Sequence, residues 1–142
     1  MKHLLLSVLL VLQVIPLFSE SKPMVICASL EDCEKKADAT EIHRKKITLL
    51  TFGITEYGKD VPVQNLLPVY LKRVKSTILE ANGETGYKGD VILKVTHKPE
   101  YKQSQLHKAE EDIQFIDTNQ SFLSKENYSE LLKLKTLLGQ SR

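Results

Sequence analysis

Tryptophan is absent from this sequence, and aromatic residues make up only 6% of it. Tyr57, Tyr70, Tyr87, Tyr101 and Tyr128 are spread singly along the chain. That scarcity argues against a stacking platform for nucleic-acid bases or sugars. An excess of one charge is also missing. The formal net charge is +2, and it stays there if Lys2 and Glu20 leave with an N-terminal leader, so the basic bias of a nucleic-acid binder is lacking.

Catalytic signatures are lacking too. There is no G-x-S-x-G, no phosphate-binding P-loop and no H-E-x-x-H. Beyond His3, the histidines are His43, His97 and His107, with no two spaced i, i+4. The sequence therefore predicts no metal site and implies no cofactor. Two cysteines, Cys27 and Cys33, are too few for a dense disulfide framework, and their spacing is not that of a redox C-x-x-C motif.

The N-terminus carries a clearer signal. Lys2 and His3 precede an apolar run from Leu4 to Leu12, with Pro16 and then the small residues Ser19 and Ser21 beyond it. This is the layout of a secretory signal peptide over residues 1–21, followed by one globular domain over residues 22–142. The apolar stretch falls short of the roughly 20 residues that span a bilayer, and nothing later in the chain is apolar enough. A secreted location follows, extracellular or periplasmic according to the source. There Cys27 and Cys33 would close a small structural ring. Asn119-Gln-Ser121 and Asn127-Tyr-Ser129 would be glycan acceptors in a eukaryotic secretory pathway.

Periodicity sets the expected elements. Ser29, with Asp32 three residues on, predicts a capped helix from about Leu30 to Arg44. Ile47, Leu49, Leu50, Phe52 and Ile54 put apolar side chains on both faces of an extended segment, which predicts an interior strand. Leu67, Leu71, Val74, Ile78 and Ala81 form one stripe, predicting a helix over 65–81 with Pro68 in its first turn. The glycines of "NGETGYKGD" (82–90) then connect that helix to a strand, "DVILKVTH". A phosphate cradle needs the opposite order, strand into helix, and the Lys88-Gly89-Asp90 tripeptide reads as part of a turn. Residues 99–112 are polar and ambiguous. "IQFI" (113–116) predicts a short strand, and Ser124 caps a closing helix that ends at Gly139. The expected fold is α/β or α+β: a small three-stranded, at least partly parallel sheet covered by two or three helices.

Two readings of function follow. The first is a secreted or periplasmic binding protein without catalytic activity, its partner a protein or an anionic extracellular ligand. Arg44, Lys45, Lys46, Lys72, Arg73 and Lys75 are the candidate contacts for an anion. The alternative is a small hydrolase that gathers Glu56, His97 and Asp117 beyond the carboxyl ends of parallel strands, where open sheets bind ligands. A secreted toxin fits the size but has neither the disulfides nor the charge. Oligomeric state is not legible in the sequence.

Overall fold

A computed structural model describes residues 26–142; the expected signal peptide lies outside them. Five α-helices dominate: α1 (Leu30–Asp38), α2 (His43–Tyr57), α3 (Val63–Ala81), α4 (Pro99–Thr118) and α5 (Lys125–Gln140). Between α3 and α4 stands one antiparallel hairpin, β1 (Glu84–Lys88) and β2 (Val91–Lys94). Among the described residues, the expected three-stranded, partly parallel sheet is replaced by this two-stranded antiparallel one.

The two missing strands are helical, for identifiable reasons. "KKITLLTFGIT" lies inside α2, whose inward stripe is His43, Lys46, Leu50, Gly53 and Tyr57. The spacings of three and four are those of a helix, but only Leu50 among these residues is aliphatic, so the stripe is masked in a hydrophobicity pattern. Gly53 is needed there because a Cβ would lie 2.8 Å from Cys33 Cβ. "IQFI" is the end of α4, which buries Leu106, Ala109, Ile113 and Ile116 at helical spacing. The predicted helix over 30–44 is broken at residues 39–42, so "HRKK" opens a helix instead of closing one.

Helix α3 is the centre of the molecule. One face packs Leu67, Leu71, Val74 and Ile78 against Leu106, Ala109, Ile113 and Ile116 of α4 and Leu131, Leu134 and Leu138 of α5. The other face sends Leu66 and Val69 to meet Leu30, Ala37 and Leu50 of α1 and α2. Pro68 lies past the first turn, since the helix starts at Val63 with Pro62 as its cap. Its ring denies Gln64 a backbone donor, a defect that the packed surroundings must absorb. Tyr70 stacks on Phe115 with ring centroids 4.3 Å apart, and burial lifts the Tyr70 hydroxyl above its usual pKa.

At the N-terminus, Ser29 Oγ accepts from the Asp32 amide at 3.1 Å, and Asp32 Oδ2 accepts from the Ala28 amide at 2.9 Å. The Lys36 ammonium beside Asp32, with that amide, holds the carboxyl below its ordinary value. Cys27 and Cys33 form a disulfide pair across this turn, with Cα atoms 5.2 Å apart. The Tyr57 hydroxyl donates to Cys27 O at 2.6 Å, which ties the ring to the end of α2. Replacing both cysteines by serine should lower the unfolding free energy by about 2 kcal/mol, the chain-entropy value for so short a loop. Denaturant titration checks this; an unchanged midpoint would leave the ring no structural role.

Among the described residues, no helix is long and apolar enough to cross a membrane. The closing helix turns Leu131, Leu134 and Leu138 inward and leaves Tyr128 and Leu132 partly exposed.

Candidate functional site

The break between α1 and α2 creates the feature that stands out chemically. Helix α2 begins with His43, Arg44, Lys45 and Lys46, has no acidic residue in its first turn, and has no capping side chain. A helix N-terminus already carries a partial positive charge, so four basic or protonatable residues there oppose the macrodipole. Such an arrangement is unfavourable unless an anion is nearby or the charges are led away.

Some are led away. The Arg44 guanidinium reaches Glu80 at 2.9 Å and the Tyr101 hydroxyl at 3.3 Å, and these bonds hold it above its usual pKa. Glu80 is 1% exposed, and the Tyr101 hydroxyl also bonds its Oε1, at 3.2 Å. His97 Nε2 stands 3.6 Å from the same oxygen. Glu80 Oε2 and His97 Nε2 are buried without partners. Lys45 turns to a shallow groove beside Ile26, Ile42 and Leu49.

Lys46 does not leave. It lines a cavity of about 330 Å³ between α1, α2, α3 and β1, together with Asp38, His43, Lys72, Lys75, Ser76 and Tyr87. Helical geometry explains the convergence: His43, Lys46 and Leu50 share one face of α2, and Lys72, Lys75, Ser76 and Leu79 share one face of α3. Tyr87 comes from the hairpin, and its ring meets that of His43 edge-on at 5.6 Å.

His43 is 3% exposed, and neither ring nitrogen has a hydrogen-bond partner. Burial, and then the Lys46 charge, hold the imidazole below its ordinary pKa; Glu80 and Glu84 pull weakly the other way. It is therefore neutral near pH 7. Lys72 bonds Asp38 and Glu34, each at 2.7 Å. Burial pulls its pKa down, but these two carboxylates outweigh it and leave Lys72 firmly charged. Lys75 is only loosely paired, with Glu130 at 3.7 Å. Lys46 has no carboxylate within ion-pair distance among the described residues.

Of the six basic candidates read from sequence, three thus share one cavity: Lys46, Lys72 and Lys75. Arg44, Lys45 and Arg73 do not join them; Arg73 forks onto Asp112 instead, at 2.8 and 2.6 Å. His43 also lines the cavity and is not among the candidates drawn from the sequence. The signal that would have found it is the helix break before "HRKK". The acid–base candidates fare differently. Glu56 is exposed near the end of α2, His97 lies in the segment before α4, and Asp117 pairs with Lys135 of α5 at 2.7 Å. The parallel strand ends that were to gather them are not formed, and no hydrogen bond or ion pair joins any two of them. Among the described residues, no three histidine, cysteine or acidic side chains converge as metal ligands. The two glycan acceptors also differ: Asn119 Nδ2 donates to Phe115 O at 2.9 Å, whereas the Asn127 backbone amide is held by the Ser124 cap.

No family model, curated protein or solved structure matches this chain.

Proposed function

We propose that the protein is a secreted, non-catalytic binding protein whose ligand presents one compact anionic group to the cavity at the start of α2. The observation that carries this reading is His43: a buried imidazole with two unpartnered nitrogens, bordering a cavity walled by three lysines. The uncapped, wholly basic first turn of α2 supplies further positive potential. The N-terminal leader pattern and the Cys27–Cys33 pair support secretion.

The distribution of the remaining basic residues favours a compact group over a long polyanion. A chain such as heparin needs an extended basic face, but Arg44 and Arg73 are engaged by Glu80 and Asp112. Lys72 is bracketed by two carboxylates, so of the six basic candidates Lys46 and the loosely paired Lys75 are the ones that offer charge to the cavity.

Titration calorimetry with inorganic sulfate tests this reading. Lys46→Glu and Lys75→Glu should each weaken binding at least about tenfold, because each replaces a charge-assisted contact by repulsion. Lys45→Glu should have little effect. Equal affinity in all four proteins would overturn the assignment.

A further inference from the structure

The chemistry of the cavity goes further than the presence of positive charge. We infer that it takes a sulfate- or phosphate-monoester group, and that the group enters together with a proton on His43. This rests on the anion-binding reading above and adds to it a ligand class and a linked proton.

The donor set argues for a tetrahedral oxyanion. A carboxylate is matched best by the planar fork of an arginine, whereas lysines act as separate point charges. Both arginines of this region are already forked onto or bonded to protein carboxylates, Arg73 on Asp112 and Arg44 on Glu80. The cations that line the cavity are all lysines, Lys46 from one helix and Lys72 and Lys75 from another, with Asp38 of α1 at its wall paired to Lys72. Charges approaching from two helices suit oxygens that point in several directions. At about 330 Å³ the space exceeds the needs of a bare ion, and Leu50, Leu79 and Ala37 line it beside the polar groups. An ester whose carbon skeleton rests on those residues fills it better than a free ion.

His43 supplies the proton link. A neutral imidazole has one donor and one acceptor nitrogen, and an acceptor lone pair facing an oxyanion is repelled. The imidazolium offers two donors. Its χ2 torsion is soft, so the ring can turn a nitrogen toward the cavity it borders. No protein group hydrogen-bonds the ring. Lys46 on its own helix opposes protonation, as does Lys75 of α3. Arg44 points away to Glu80, and Lys72 is balanced by Asp38 of α1 and by Glu34. From α3, Glu80 is occupied by Arg44 and Tyr101; from β1, Glu84 attracts only weakly and Tyr87 presents its ring. An incoming oxyanion is the missing partner.

The sign follows. The free imidazole sits below its ordinary pKa, and a bound anion raises it. Between those two values, binding takes up a proton. Affinity is therefore greatest below the free-state value and declines as pH rises through the bound-state value. The slope is at most about tenfold per pH unit. Sulfate stays fully ionised across this range, so any pH dependence belongs to the protein.

Calorimetry on the full mature chain tests this with inorganic sulfate, 4-nitrophenyl sulfate and acetate. It should be run from about pH 5.5 to 8 in two buffers of different ionisation enthalpy. We expect the ester to bind more tightly than the inorganic ion and acetate to bind least. Uptake should approach one proton per anion, and affinity should rise on acidification. His43→Gln should bind sulfate without proton uptake. If that variant does not fold, the His43 ring proton resonance of the wild-type chain gives the same answer: sulfate should move its titration midpoint upward. Sulfate binding without proton uptake, or an unmoved midpoint, would overturn the proton link and leave the anion site standing. Acetate binding as tightly as the sulfates would overturn the ligand class. No binding by either sulfate would overturn this inference and the function proposed above together.

Discussion

Arg73→Ala should be among the most damaging single changes in this protein, removing about 3 kcal/mol of stability at neutral pH. Arg73 grips both oxygens of Asp112, which is 8% exposed, and its guanidinium lies 5.0 Å from the centroid of the Tyr70 ring. Truncation would leave a carboxylate buried against α3 with no counter-charge. Burial already lifts the Asp112 carboxyl above its ordinary pKa, against the opposing pull of Arg73. Without Arg73 it would rise further and the group would take a proton instead of staying ionised. The loss should therefore shrink as pH falls.

The sign is that of an acid whose folded pKa lies above its unfolded one. Its contribution is complete below the unfolded value and is lost as pH rises through the folded value. Denaturant unfolding of wild type and Arg73→Ala at about pH 7 and pH 4 would show the narrowing gap. A difference within about 0.5 kcal/mol at neutral pH would mean that the fork contributes nothing. Arg73→Lys should fall between, since it keeps the charge and loses the second bond.

The second large effect is graded along one short loop. Gly83, Gly86 and Gly89 all have positive φ, at 85°, 154° and 59°. What a methyl group would meet differs sharply. At Gly83 it would lie 2.1 Å from Val95 O, in the backbone bridge that joins the two hairpin strands. At Gly86 it would lie 2.5 Å from Glu41 O and 3.0 Å from Ile42 Cα, where β1 touches the residue that starts α2. At Gly89, the hairpin tip, it would meet nothing.

Alanine at Gly89 should thus cost only the left-handed backbone term, about 1 kcal/mol. Alanine at Gly83 or Gly86 adds a clash with backbone that cannot swing aside, and about 3 kcal/mol or more is expected at each. Gly86→Ala carries an extra consequence. By displacing the start of α2 it moves His43 and Lys46, so sulfate affinity should fall more than in Gly83→Ala. Thermal unfolding and calorimetry on the three variants separate these effects. Three equal losses near 1 kcal/mol would mean that backbone dihedral alone matters.

These residues also show how far the sequence could be read. The helix over 65–81, the closing helix, the Ser29 cap and a strand within "DVILKVTH", which the structure shortens to Val91–Lys94, were visible because regular apolar spacing or capping chemistry marks them. The turn at Gly83 was visible as well, but not that Glu84–Lys88 between the glycines is itself a strand. Helix α2 was hidden because its fully buried residues are His43, Leu50 and Gly53, while Ile47, Leu49, Phe52 and Ile54, which set its apolar pattern, are only half-buried. Extended and helical templates both accept such a run, and alternation won wrongly. Helix α4 was hidden by Gln105 and Asp112, polar residues buried on that helix, the second through a pairing with Arg73 of α3 that no local pattern reveals. The cavity inherited that blindness. Lys46, Lys72 and Lys75 were legible as a basic set, but what separates them from Arg44 and Arg73 is the position of Glu80 and Asp112. That is a property of the packing.

The central claim is that a compact anion is held in the cavity at the start of α2 and not on the basic surface at large. Backbone amide shift mapping by NMR during a sulfate titration tests it most directly. The account predicts saturable shifts clustered at residues bordering the cavity — Ala37, His43, Lys46, Ser76 and Tyr87 — with Arg73, Lys45 and Lys135 unmoved. Small, non-saturating shifts spread over every basic residue would contradict it, because they would mean that sulfate meets a diffuse charged surface and no site.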